Sequence, residues 1–278
     1  MTWNRIAILT MLASLGAVGV WATPALALVS CGATITSDTT LTAADPVTTT
    51  ICKSNGLSIK GDNITLDCGG LTIKGKGAGA GIRLVSGASG ATIQNCVVDT
   101  FVKGLLLGGP GGNFVMNVVA QNNKDAGVVA TSNANFLLTV LSRNNGGFGF
   151  QLSGTGNGTD GAVALENTKA GFSIKGKEAD IENSLAISNG AEGFIGNLKS
   201  SFFFGNSAIG NTGDGFKMGG GSTSLPNEYD ECKAIANGGN GLVVSGTNPD
   251  ANFDGGGNAG LANTGAIGCQ IAGAACQQ

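Results

Sequence analysis

The sequence predicts an all-β solenoid, a single-stranded right-handed parallel β-helix of about eight to nine coils, each 22–26 residues long. Three observations carry this expectation. Glycine makes up 49 of 278 residues and proline only 5, which implies frequent tight turns without a collagen period. Mean hydropathy is +0.20 with 42% hydrophobic residues, more than a disordered linker carries. Above all, glycines followed by apolar residues recur at Gly81, Gly104, Gly127, Gly149, Gly171, Gly193, Gly215 and Gly241, spaced 22 or 23 residues apart and finally 26.

In chain order, residues 1–27 read as a secretory signal. Arg5 is their only charge, Ile6 to Trp21 is an apolar run, and Ala25-Leu26-Ala27 forms a small-x-small cleavage site. A rival reading takes Leu28-Val29-Ser30-Cys31 as a lipobox with Cys31 acylated. Both place the protein outside the cytoplasm: secreted, periplasmic or on the cell surface. No later stretch approaches the ~18 apolar residues that a membrane span needs. Residues 28–55, rich in Thr and Ser, are expected to cap the first coil, 56–246 to form the coils, and 247–278 to close the far end.

The coils read as strands because they are rich in Val, Ile, Phe, Ser and Thr and are broken by Gly and Asn. In GIRL, GFQL, GFSI and GFKM the second and fourth residues are apolar and should face inward. Phe172, Phe194 and Phe216 should therefore stack as an inner column. The residues between point outward: Arg83, Leu106, Val129, Gln151, Ser173, Ile195, Lys217 and Val243. This largely aliphatic column suits a face covered by loops or by a partner protein. A polar column of Asp99, Asn122, Asn144, Asn167, Asn189, Asn211 and Asn237 reads as a turn ladder. A second apolar column, Val97, Ala120, Leu165, Ile187, Ile209 and Ile235, precedes it by two residues.

An exported chain can form disulfides. Cys31 and Cys52 bracket the cap, and Cys269 and Cys276 bracket a short C-terminal loop. Cys68 and Cys96 fall where they can face each other on adjacent coils, which leaves Cys232 unpaired and buried. Sequence alone leaves the connectivity open. There is no CxxC and no His, which argues against zinc. Net charge is −3, and nothing points to nucleic acid.

The stretch CGATITSDTTLTAADPVTTTICKSNGLSIKGDNITLDCGGLTIKG resembles the opening of bacterial and archaeal right-handed parallel β-helix repeat proteins. The resemblance spans the mature chain but is specific only over residues 31–75. It implies a pectate-lyase-like architecture and a Cys31–Cys52 bridge. The family shares its repeat type with a periplasmic protein that helps mature the copper site of nitrous oxide reductase, so an accessory role beside a metalloenzyme is a further reading. Members usually carry a His in the turn after this strand, where this chain has Gly69-Gly70-Leu71-Thr72. The resemblance informs fold more than function.

The lack of His removes a His base, His–metal ligation and His-activated nucleophiles. Polygalacturonase-like hydrolases resemble one another in paired Asp motifs and a Gly-His-Gly, and both are missing here. Alginate-type lyases and epimerases use Tyr and His, and Tyr229 is the single Tyr. Copper handling lacks ligands, since after the leader only Met116 and Met218 remain. A Ca²⁺-dependent polysaccharide lyase stays open. Lys175, Lys177, Lys199 and Lys217 are its candidate bases, with Lys177 and Lys199 at one repeat position. Glu192 and Asp214 share a position before a coil-starting Gly, with Asn240 next in the column, and are the candidate Ca²⁺ ligands. The favoured expectation is an exported non-catalytic β-helix without a cofactor. Its role would be structural or binding at the cell envelope, with a polysaccharide or an envelope protein as partner.

Overall fold

The computed structural model describes residues 28–245 and 251–276, so the leader expected over 1–27 lies outside the described residues. Three parallel sheets of twelve, ten and nine strands wrap one solenoid. Each full coil gives one strand to each sheet. Phe172–Lys177, Asp180–Glu182 and Leu185–Ile187 belong to the first, second and third sheets. The next coil repeats them in register, pairing Phe172 with Phe194, Asp180 with Phe202 and Leu185 with Ser207.

Side-chain size in the interior follows the geometry of the coil. First-sheet strands point two residues inward, and Phe150, Phe172, Phe194 and Phe216 form the expected column, extended by Phe150. Their rings stack at 4.6, 4.5 and 4.6 Å between centroids and are fully buried. The second sheet inserts one residue per strand, such as Ile93, Val115, Leu137, Ile181, Phe203 and Tyr229. The third inserts Ile73 and Val98 in its first two strands and thereafter small residues, Ala120, Ser142, Ala164, Ala186, Ala208 and Ala234. The coil-starting glycine explains why they are small. A Cβ on Gly193 would lie 2.6 Å from the Ala208 Cβ and 2.6 Å from the Gly215 carbonyl oxygen, so neither position has room to grow. The second apolar column of the sequence therefore divides. Ala120 faces the core, whereas Leu165, Ile187, Ile209 and Ile235 face outward beside the buried alanines.

The asparagine ladder is real but offset from the sequence reading in its first coils. The stacked residues are Asn123, Asn145, Asn167, Asn189, Asn211, Asn237 and Asn263. From Asn145 on, each Oδ1 accepts the backbone N–H and the Nδ2 of the Asn one coil before, at 2.8–3.1 Å, and the Asn123 Oδ1 accepts the Phe101 N–H at 2.9 Å. Asn122 and Asn144 instead hold the preceding left-handed position, φ 55° and 54°, where Asn tolerates positive φ. Asp99 precedes that turn and sits outside the ladder. A second ladder, Asn113–Asn135–Asn157, leads into the second sheet. It stops where Ala179 follows, leaving the buried Asn157 Nδ2 without a partner.

The ends contain more of the solenoid than expected. Within 28–55, Ala33–Ile35 and Thr39–Thr40 already pair into the first two sheets. The short helix Pro46–Thr49 then packs on Thr72–Lys74, where a third-sheet strand would otherwise stand. Asp45 anchors this cap by accepting the N–H groups of Val29 and Thr42 at 2.7 Å each and the Thr42 hydroxyl at 3.0 Å. Burial raises the Asp45 carboxyl pKa, but these three bonds outweigh it and hold it below its ordinary value. At the far end, Asn252–Gly256, Ala259–Leu261 and Cys269–Ile271 add another rung before Ala274–Ala275 folds back antiparallel and covers the sheet edge. The solenoid thus has about ten turns rather than eight to nine. The bridges are Cys31–Cys52, Cys68–Cys96 and Cys269–Cys276, with Cys232 free and buried. The Cys31 sulfur lies in a disulfide, which excludes the thioether of an acylated N-terminal Cys in this state.

Candidate functional site

With the interior filled, chemistry is confined to the outward residues, and these are sorted by sheet. The first-sheet strands carry Arg83, Lys103, Lys175, Lys177, Lys199 and Lys217 and no Asp or Glu among the described residues. Second-sheet strands carry Asp67, Asp160, Asp180, Glu182, Glu228, Asp230 and Asp254 and no Lys or Arg. The third sheet presents a mainly aliphatic surface. Separating opposite charges onto two faces gives each its own sign of potential.

The basic face widens at mid-solenoid. Phe150–Thr155, Phe172–Lys177 and Phe194–Lys199 run to six residues, against three to five in the first-sheet strands on either side. Gly176, at φ 128°, lets the strand continue, and a Cβ there would collide with the Gly154 carbonyl of the rung before. A hollow of about 500 Å³ lies over these rungs, lined by Phe148, Lys169, Ser173, Lys175, Glu192, Ile195 and Asn197, among others. Ser173 and Ile195 of the expected outward column form part of its lining. Column and strand extension together make the face basic rather than simply aliphatic. Lys169 sits 5.3 Å from the Phe148 ring centroid.

The candidate residues fall as follows. Lys177 and Lys199 are paired in register, as their shared repeat position implied, and Lys175 lies opposite Asn197. Lys177 reaches Glu178 at 3.6 Å and Lys217 reaches Glu192 at 3.5 Å. Lys175 and Lys199 form no ion pair among the described residues. The main chains of Glu192, Asp214 and Asn240 stack rung on rung, their carbonyls accepting from Gly171, Gly193 and Gly215. Their side chains diverge. Glu192 turns to Lys217, Asp214 accepts the Asn240 N–H at 2.7 Å, and Asn240 Oδ1 accepts the Ile267 N–H at 3.1 Å. Ca²⁺ takes six to eight oxygens. Among the described residues no three His, Cys, Asp or Glu side chains gather to hold a metal.

The second-sheet face escaped the sequence reading. Asp160 and Glu182 are in register on adjacent strands, with Asp180 on the same face. Partial desolvation lifts the Asp180 carboxyl pKa above its ordinary value; a hydrogen bond with Glu182 opposes this and the Asp160 charge adds to it. Desolvation, then the charges of Asp180 and Asp160, lift that of Glu182. Phe202 and Phe204 stand on the next strand with centroids 6.1 Å apart. The signal was a 22-residue spacing linking Gly158, Asp180 and Phe202, legible only once the second-sheet register is known.

No protein-family model matches the chain, and no curated relative matches its sequence. Solved structures do resemble it. The Dettilon tailspike protein superposes with a TM-score of 0.54 at 10% identity, covering 90% of this chain and 60% of that one. The A-module of an Azotobacter vinelandii mannuronan C-5 epimerase gives 0.50 at 15% identity, covering 88% and 75%. The chain spans less than two thirds of the tailspike chain. Among the described residues no helix is long and apolar enough to cross a membrane, and three disulfides suit an oxidising compartment. These likenesses and the sheet topology establish a parallel β-helix fold.

Proposed function

We propose that this chain is an exported, non-catalytic β-helix that binds acidic polysaccharide along the basic outer face of its first sheet. One observation carries the reading: first-sheet strands that bear Lys175, Lys177, Lys199 and Lys217 and no acidic residue run beside a hollow lined by Lys169, Lys175 and Phe148, in which Glu192 is the one carboxylate. A uronate chain offers one carboxylate per sugar, which ammonium groups on successive rungs about 4.8 Å apart can pair. The ring faces of such a chain suit Phe148. The epimerase that shares the fold acts, by its name, on mannuronan, itself a polyanion.

A binding role fits the site better than a lyase role. The lysines sit in the open, two of them already paired with Glu178 and Glu192. The test is calorimetric titration with hexamers of galacturonate and mannuronate, run beside an absorbance assay for unsaturated products with added Ca²⁺. The expected result is saturable binding, weakened at least tenfold by Lys175→Gln/Lys199→Gln, without product absorbance. Growth of unsaturated product would replace this reading with the Ca²⁺-dependent lyase. Failure to bind either hexamer would remove it.

A further inference from the structure

The second sheet carries a cleft that the basic face does not explain. Phe202, Glu228 and Phe253 occupy the same outward position on three successive strands, paired in register. Between them lies a hollow of about 340 Å³, with Ser200 and Pro226 also in its lining. Phe253 is 47% exposed, Phe202 is half-buried, and no ion pair among the described residues involves Glu228. We propose that this cleft is a second saccharide site, specific for a neutral pyranose held between the two phenyl rings with its hydroxyl edge on Glu228.

The dimensions carry the first step. Strands two rungs apart are separated by about 10 Å. A ring in contact with an aromatic face on each side needs about 7–8 Å, at roughly 3.5–4.0 Å per contact. The remainder leaves room for the tilt of the rings. A pyranose also has the required polarity, with C–H groups on its faces and hydroxyls at its rim. Apolar walls and a carboxylate between them match that division. A purely apolar side chain would instead cover Glu228 and leave it without a partner.

Charge selects among sugars. The strands around the cleft contribute Asp180, Glu182 and Asp230 besides Glu228, and no Lys or Arg. A uronate would face these carboxylates along the sheet, whereas a neutral sugar donates hydroxyl protons to them. A small organic cation suits the sign but not the size. In a hollow this wide it keeps its water and gains little from an exposed ring. This site does not rest on the first-sheet reading, since no residue is shared between the two.

The test is calorimetry on the full chain with neutral hexaoses of β-1,4-glucose, α-1,4-glucose and β-1,4-mannose, with tetramethylammonium as the cationic probe. At least one hexaose should bind. Phe253→Ala should weaken it at least tenfold and Glu228→Gln about threefold, while Lys175→Gln/Lys199→Gln leaves it unchanged. Because Phe253 is exposed, its loss should spare the fold, which far-ultraviolet circular dichroism checks. Both tryptophans lie within residues 1–27, so Phe253→Trp places a fluorophore in the cleft. The same hexaose should shift its emission. The proposal is overturned if no hexaose binds at millimolar concentration, if Phe253→Ala binds as well as wild type, or if tetramethylammonium binds more tightly than every hexaose.

Discussion

The outer faces of the first and second sheets are built on the same coil yet carry opposite chemistry. Behind both lies one interior, where Phe172, Phe194 and Phe216 stack beneath the first sheet and Phe203 meets Tyr229 beneath the second, at 5.1 Å between centroids. In front, one face holds lysines with Phe148, and the other holds carboxylates with Phe202 and Phe253. The contrast shows how a solenoid divides its constraints. Inward positions must match the rung above and below, so they repeat. Outward positions also stack in register but are open to solvent, so they can diverge sheet by sheet, as the lysines of the first sheet and the carboxylates of the second do.

The shared interior should produce the largest effects. Phe194 is fully buried between two stacked rings, so Phe194→Ala is expected to lose about 3–5 kcal/mol in denaturant unfolding. A near-neutral outcome would mean that the column does not hold the two faces together. Asn189→Ala should lose roughly 1–3 kcal/mol, because its Oδ1 accepts twice and its Nδ2 donates both to Asn211 and to the Ala164 carbonyl. Asn237→Ala should cost about as much, since the ladder continues to Asn263, and only Asn123→Ala and Asn263→Ala should behave as chain ends.

Smaller changes sharpen the difference between the faces. Ala179→Asn restores the missing amide beside Asn157 and should gain about 1 kcal/mol, measured by the same unfolding experiment. Overpacking at this corner would reverse the sign. The pH dependence should also differ between regions. Asp180 and Glu182 have raised folded-state pKa values, so their contribution to stability is fully present below the ordinary carboxylate values of 3.8 and 4.5 and is lost as pH rises through the folded values. Asp45 and Asp67 have lowered values, so their contribution is present above 3.8 and is lost as pH falls through the folded values. Asp180→Asn should therefore raise the melting temperature slightly at pH 7, with the gap closing in acid, whereas Asp45→Asn should lower it. Equal responses at both sites would contradict this assignment.

Much of the architecture was legible because a period needs only two coils to be seen. The glycine column, the Phe stack and the register of Lys177 with Lys199 all follow from residues about one coil apart; the cysteine spacings allowed the three observed bridges without fixing them. The offset in the first ladder came from the doublets Asn122-Asn123 and Asn144-Asn145, in which either residue fits an Asn column. Only the backbone separates the left-handed residue from the stacked one. The acidic face was hidden for another reason. A three-residue strand with one inward residue, such as Asp180–Glu182, is too short to show alternation, so its outward pair cannot be assigned to a face from sequence. The lysine candidates were found, but the hollow that Lys175 shares with Lys169 and Phe148 depends on turn residues that no repeat column marks.

If charge sorted by sheet decides what each face binds, affinity for a uronate chain must respond to salt. The most direct test is the salt dependence of hexagalacturonate affinity for the wild-type chain and for Lys175→Gln/Lys199→Gln. Ammonium–carboxylate pairing at an exposed face is screened as the Debye length shrinks from about 10 Å at 0.1 M salt to about 3 Å at 1 M. The wild type should lose affinity steeply across that range, and the double variant should start weaker and fall less. Affinity that stays level with salt, or that is untouched by the double substitution, would contradict the account.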